Sequence, residues 1–404
     1  MKYLIIVPDG AGDDNIEELG GKTPLQVAKM PNANRLASKG IVGMVSNVPK
    51  GMVPGSDAAN LSVMGYSPET YLTGRSPLEA ASMGIEMDDN DVSFRVNFVT
   101  LEGNGEYEEL IMKDHSAGDL KTEEAEVLVD ALNKFFRDER KNIYRGTGYR
   151  QCLIVKDGST DVKLTPPHDI LGKKVGEHMP DGVESQLLTE LMKKSREILE
   201  EHPLNIERQK KGVNPANSIW IWGEGKKPEL PLFKEKYGID GTVVSAVDLI
   251  KGIGILAGLD TVEVEGATGT AETNFKGKAD AAIDAFKSGK DFVYIHIEGP
   301  DECSHQGDLK GKIGCIEDID EKITGPVTSY LDSTGEDYKV LIVPDHRTPI
   351  KVRTHTMDPV PFVVYQKNSE KEEDKGRIFA EFVGEEGEYF DSGCKLADFF
   401  FKKK

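Results

Sequence analysis

The feature that most constrains this chain is a set of short runs dominated by apolar residues, each stopping at a polar or glycine-rich turn. They are Tyr3–Val7, Ile219–Trp222, Thr242–Ser245, Phe292–Ile297 and Lys339–Val343. A strand that is apolar on both sides, rather than alternating, has both of its faces covered, as in a parallel sheet flanked by helices. Helical periodicity alternates with these runs at Thr23–Ser38, Val183–Glu200, Val247–Leu256, Ala279–Lys287 and Ile313–Leu331. The first of them has Pro24 near its start and Gly40 just beyond its end, the expected punctuation. Alternating strands and helices predict an α/β fold with a mainly parallel sheet covered by helices.

A chain of 404 residues exceeds one ordinary core. Residues 86–182 read differently from the rest. Phe94–Leu101 alternates and runs into the turn Glu102-Gly103-Asn104-Gly105-Glu106. A helical pattern, Thr122–Arg140, and a strand, Gln151–Lys156, follow. Pro166-Pro167 and Met179-Pro180-Asp181-Gly182 mark the end of this stretch. The expected organisation is a core domain of residues 1–85 and 183–404 with a smaller α+β domain, 86–182, inserted in it. Ser369–Gly376 is charge-rich and reads as an exposed loop.

The formal net charge of −20 argues against nucleic acid and acidic membranes as partners. An anionic small molecule remains compatible, provided that local Arg, Lys or bound cations reverse the field. No apolar run approaches the roughly 20 residues of a membrane span. The apolar stretch after Met1 is too short for a signal-peptide core, so a cytoplasmic location is expected. Cys152, Cys303, Cys315 and Cys394 are scattered, which speaks against both a disulfide framework and a thiolate zinc site.

Four remote motifs carry chemistry. Val7-Pro8-Asp9-Gly10 puts a carboxylate at the end of the first strand, where open α/β sheets bind ligands; a turn or cap role accounts for it equally well. Pro54-Gly55-Ser56-Asp57 before an Ala-rich segment places a serine at a helix start, a position that favours phosphate but also suits an ordinary cap. Asp301 and His305, four residues apart after the strand Phe292–Ile297, fit one side of a turn. Asp345-His346 follows another strand, with His355 nine residues beyond His346. Carboxylate and imidazole suit manganese or zinc, and a pair of cations about 3.5–4 Å apart clamps a phosphoryl group and lowers the pKa of a hydroxyl.

Together, D-G, G-S-D, D-x-x-x-H, D-H and a later H resemble the alkaline phosphatase superfamily, and within it the cofactor-independent phosphoglycerate mutases of the archaeal type. Gly65-Tyr66-Ser67-Pro68, Gly74-Arg75 and Asp358-Pro359-Val360-Pro361 support the likeness, which covers residues 1–85 and 185–365. The resemblance implies an alkaline-phosphatase-like core and two divalent metal ions, Mn2+ or Zn2+. One would be held by Asp301, His305 and His355, the other by Asp9, Ser56, Asp345 and His346. It implies Ser56 as the nucleophile that becomes phosphoserine, and interconversion of 2- and 3-phosphoglycerate without bisphosphoglycerate. His115 would act catalytically, and Ser116, Arg145 and Arg150 of the inserted domain would bind the small anionic phosphorylated substrate. Lys226 or Lys227 would add a phosphate contact from the core domain.

One position departs from the pattern: Arg347 stands where the mutases carry a small residue. A bacterial subgroup with similar Pro-Asp-Glu-Cys and Thr-His-Thr segments has been proposed to contain homoserine kinases, so an ATP-dependent homoserine kinase is the alternative. A metal-dependent phosphatase is a third reading. Gly252-Ile253-Gly254 falls inside a helical pattern rather than at a strand-to-helix turn, which excludes a dinucleotide loop.

Overall fold

Eight strands form the sheet that organises the larger unit of the molecule, in the order Asp260–Val262, Gly241–Val244, Phe292–Ile297, Lys2–Pro8, Tyr338–Ile342, Val360–Gln366, Ile41–Val45, Glu388–Phe390. Only Val360–Gln366 runs against its neighbours; every other pairing is parallel. The computed structural model describes residues 1–368 and 376–402, so the loop expected over Ser369–Gly376 falls almost wholly outside the described residues. The chain divides into two compact units, Met1–Leu72 with Glu229–Lys404, and Thr73–Pro228.

In the first unit the apolar strands are sandwiched, as their composition requires. Leu4 and Ile6 point to a core shared with Phe275, Phe286, Ile316, Ile323 and Leu331 from the helices on one face. Tyr3 and Phe292 point the other way, where Tyr3 meets the Phe400 ring at 5.7 Å and Phe292 stacks on Phe233 at 4.9 Å. Each fully buried Ile, Val or Phe contributes roughly 1.5–3 kcal/mol, so this double burial is what holds the strands between the two helical layers.

Two helical patterns are interrupted where proline demands it. Thr23–Ser38 forms two helices, Pro24–Val27 and Pro31–Lys39, because Pro31 clashes with a helical residue before it and starts a new helix instead. Ile313–Leu331 lies in the helices Leu309–Ile319 and Gly325–Thr334, joined by a π-helical turn at Asp320–Thr324 just before Pro326. The Gly252-Ile253-Gly254 segment lies within the helix Asp248–Leu256, with Gly254 packed against Val243.

The second unit is an antiparallel sheet built on one long strand, Val92–Glu102. It pairs with Ile111–Asp114, with Arg150–Val155 and with Ser218–Lys226; Lys141–Tyr144 extends the sheet beyond Arg150–Val155. Two helices, Thr122–Phe136 and Ser185–Leu199, bury Leu128, Leu132, Leu188 and Met192 into its core. This unit runs wider than the inserted domain expected at 86–182. The run at Ile219–Trp222, expected in the parallel sheet, is an antiparallel strand here, and the helix of residues 185–199 packs with it through the bond from Ile219 N–H to Ser195 Oγ at 2.9 Å. A doubly buried strand looks the same in either sheet, so its composition does not name its partner.

Candidate active site

Asp9, Asp301 and Asp345 follow three adjacent strands of the parallel sheet, Lys2–Pro8, Phe292–Ile297 and Tyr338–Ile342. Adjacency at the carboxyl ends is what gathers residues so far apart in sequence. Gly10, at φ +63°, turns the chain where any Cβ would lie 2.6 Å from Asp301 Oδ1, so only glycine fits. Asp301 opens the helix Gly299–Gln306, and its i+4 partner His305 brings Nε2 to 3.0 Å from Asp301 Oδ2. Ser56 is the first residue of the helix Ser56–Val63.

The donors form two overlapping groups. Asp301, His346 and His355 present one atom each within 4.8 Å of one another, and so do Asp9, Asp345 and His346. His305 Nε2 lies 3.2 Å from His355 Nε2, beside Asp301. His346 Nε2 stands 3.6 Å from Asp9 Oδ1, 3.4 Å from Asp345 Oδ2 and 3.2 Å from Ser56 Oγ. All seven expected ligands therefore lie together in the first unit.

These residues fit divalent cations on three grounds. First, Asp9 Oδ1 is buried without a hydrogen-bond partner. Second, Asp9 and Asp345 are both buried carboxylates; burial, then the charge of Asp345, pushes the Asp9 carboxyl well above its usual range. A cation between the two carboxylates offsets both the burial and the repulsion. Third, the outer nitrogens are committed: Nδ1 of His305 faces Arg353 O at 3.0 Å, Nδ1 of His355 faces Pro54 O at 3.3 Å, and Nδ1 of His346 faces Thr348 Oγ1 at 3.2 Å. Donating outward from Nδ1 turns each Nε2 inward, and two inward lone pairs 3.2 Å apart need a cation or a proton between them. Without metal the proton has the advantage. A hydrogen bond to Asp301 raises His305 to about 9. Burial opposes ionisation of Asp301, but bonds from His305 and His355 outweigh it and hold the carboxyl well below its usual range.

Several supports escaped the sequence reading. His296 Nε2 lies 3.0 Å from Asp9 Oδ2 and its Nδ1 lies 3.3 Å from Ser245 Oγ; burial lowers its pKa to about 4, so it is a neutral donor to Asp9. Asn60 donates to Asp345 Oδ2 at 2.9 Å and accepts from Tyr294 at 2.6 Å. For His296 the available signal was an imidazole inside an otherwise apolar strand; Asn60 shares its helix with Asp57 and Ser62 and gave none. Arg347 is used structurally: its Nε donates to Pro359 O at 2.8 Å and a terminal nitrogen lies 3.4 Å from Asp13 O.

The second unit holds the remaining expected residues. His115 lies edge-on to Tyr149 at 6.0 Å and to His168 at 6.2 Å, and the Arg150 guanidinium sits 5.2 Å from the Tyr149 ring centre. Two residues not foreseen complete this group. Arg95 lies over the Trp222 ring at 4.3 Å with Glu79 at 3.0 Å from its Nε, and His168 meets Trp222 at 5.4 Å. Ser116 is turned inward, its hydroxyl donating to Asp114 at 3.0 Å. Arg145 is exposed and paired with Asp130 through two 2.6 Å contacts. Lys226 ends the strand Ser218–Lys226, so it and Lys227 belong to the second unit rather than to the core domain.

A family model described as 2,3-bisphosphoglycerate-independent phosphoglycerate mutase matches residues 37–205. A protein of that name from Methanosarcina acetivorans is 45% identical over 370 residues, which is 91% of this chain and 91% of the relative. This chain belongs to the 2,3-bisphosphoglycerate-independent phosphoglycerate mutase family. The fold of this family member agrees with solved structures. A Pyrococcus horikoshii protein matches with a TM-score of 0.82 at 30% identity, over 100% of this chain and 98% of the other. The cofactor-independent phosphoglycerate mutase of Thermoplasma acidophilum matches with a TM-score of 0.68 at 28% identity, over 99% of each chain. The resemblance read from the motifs is thus borne out, and these relatives lend the homoserine kinase alternative no support. No helix among the described residues is long and apolar enough to cross a membrane.

Proposed function

We propose that this chain interconverts 2- and 3-phosphoglycerate, in glycolysis and gluconeogenesis, through a phosphoserine at Ser56 and without bisphosphoglycerate or nucleotide. The observation that carries this reading is the placement of Ser56 Oγ, at a helix N-terminus and 3.2 Å from His346 Nε2 in the donor cluster. Asp301, His305 and His355 would hold one divalent cation, and Asp9, Ser56, Asp345 and His346 the other, manganese or zinc by their oxygen and nitrogen donors. Bound there, the cations supply charge that lowers the hydroxyl pKa and neutralises phosphoryl oxygens.

Ser56 Oγ loses its proton and attacks phosphorus; the bond from phosphorus to the substrate oxygen breaks, and that oxygen takes up a proton. The glycerate then offers its other hydroxyl, which attacks the phosphoserine and frees Ser56. Backbone N–H groups at the start of the Ser56–Val63 helix favour the phosphoryl anion throughout. His115 and Arg150 would supply the donors and positive charge that recognise the small anionic substrate. His115 keeps the catalytic role that the family resemblance implies for it. Ser116 is held by Asp114 and Arg145 pairs with the exposed Asp130, so neither is given a direct substrate contact in this reading. Free phosphoglycerates are cytoplasmic metabolites, and the chain acts there on this reading.

Phosphorus NMR of metal-loaded protein with 3-phosphoglycerate alone tests the proposal. Appearance of 2-phosphoglycerate is the expected result. Release of free phosphate alone, or turnover only with ATP and homoserine, would overturn it. Ser56→Ala removes turnover and leaves most of the bound metal.

A further inference from the structure

Thr348 lies two residues beyond His346, and its backbone is fixed at both ends. Its N–H donates to Gly12 O at 3.2 Å, and its carbonyl accepts from Lys312 Nζ at 3.0 Å. Lys312 is fully buried and is itself held by Asp13 at 2.8 Å, so the anchor does not move with solvent. The side chain is thereby aimed into the donor cluster. Its Oγ1 lies 2.5 Å from Asp301 Oδ1 and 3.2 Å from His346 Nδ1. Gly10 makes room for this approach, since a Cβ there would meet Thr348 Oγ1 at 2.7 Å.

A threonine hydroxyl carries one proton. A carboxylate only accepts, so the short contact to Asp301 uses that proton, and the oxygen then accepts from His346. An imidazole that is to bind a cation through Nε2 has a single N–H to give, and it sits on Nδ1. Giving it to Thr348 from Nδ1 leaves the Nε2 lone pair facing Asp9, Asp345 and Ser56. The same hydroxyl therefore touches Asp301 in one donor group and His346, which belongs to both.

Resting on the two-cation reading above, we propose that Thr348 is a positioning residue that couples the two cation sites: it fixes Asp301 Oδ1 and the Nδ1–H tautomer of His346 with one hydroxyl. It touches neither substrate nor Ser56 and acts through the ligands.

Two measurements test this. In metal-free wild-type protein, two-bond proton–nitrogen correlation spectra are expected to show His346 protonated on Nδ1. In Mn2+ titrations by calorimetry, T348V, which keeps the shape and removes the hydroxyl, is expected to bind about 10–100-fold more weakly, while T348S, which restores it, stays within about threefold of wild type. Loss of Mn2+ affinity with an unchanged melting temperature separates positioning from general scaffolding. His346 protonated on Nε2 in the wild type overturns the proposal without any variant, so it stays open to refutation even if T348V fails to fold. Equal Mn2+ affinity of T348V and wild type, or a T348S as weak as T348V, also overturns it while leaving the cation reading intact. Failure of the wild type to take up Mn2+ sinks the cation reading and this proposal together.

Discussion

The donor cluster of the first unit and the ring-and-cation cluster of the second are built on opposite principles. In the first, short side chains leave adjacent strand ends, and the atoms that do not face inward are mostly tied down: Asp9 by His296, Asp345 by Asn60, and the three imidazoles by Thr348, Arg353 O and Pro54 O. In the second, long arginines reach from a sheet and lie on aromatic rings, with Arg150 exposed and Arg95 half-buried over Trp222. Rigid short ligands suit a job whose geometry never changes. On the proposed function, arginines on rings would suit a substrate that is released, turned and gripped again.

If that contrast is right, damage to the ties of the first cluster costs far more than damage to the second. The largest effect is expected from the buried pair beneath it. Lys312→Ala leaves Asp13 buried without its cation and is expected to lower stability by about 3–5 kcal/mol, read from urea melts; an unchanged midpoint would show that the anchor is dispensable. His296→Phe removes the donor to Asp9 from a fully buried site. Metal affinity is expected to fall about 10–100-fold, measured by Mn2+ titration, with Ser56 untouched.

A pH series sharpens the same point. His305 must lose its proton before Nε2 takes a cation, and its pKa in the metal-free protein is raised to about 9 by the bond to Asp301. Below that value metal uptake displaces a proton, so apparent affinity falls as pH drops. Calorimetry in two buffers of different ionisation enthalpy measures the proton released; release that vanishes at neutral pH would contradict the shift.

The second cluster should answer differently. Arg150→Ala is expected to raise KM about tenfold through loss of a charge-assisted bond, with metal content unchanged. Arg145→Ala is expected to change neither KM nor metal content, because its partner Asp130 is exposed and solvent replaces it. Equal effects of the two variants would erase the distinction drawn between them.

The same contrast explains what was legible in the sequence. Asp9, Asp301 and Asp345 stood out because a carboxylate ending an apolar run breaks the pattern, and His305, His346 and His355 stood close to them in sequence. His296 and Asn60 sit inside buried elements and read as tolerated polar residues; only their partners, supplied by other segments, reveal them. Thr348 was visible beside His346, yet its role depends on Gly10, Gly12 and Lys312, more than thirty residues away at the nearest. The division of the chain was misplaced for a related reason. Ile219–Trp222 is apolar enough for either sheet, and the choice was made by pairing with Val92–Glu102. Arg145 was suggested by its Gly-rich loop, and its side chain pairs with the exposed Asp130 of the helix Thr122–Phe136.

Everything rests on Ser56 as the group that carries the phosphoryl between the two hydroxyls. Acid-quenching the metal-loaded enzyme during turnover of 3-phosphoglycerate, followed by peptide mass spectrometry, tests that directly. A peptide containing Ser56 heavier by one phosphoryl group is expected, absent from Ser56→Ala. Full turnover with no phosphopeptide, or with the phosphoryl on another residue, would contradict it.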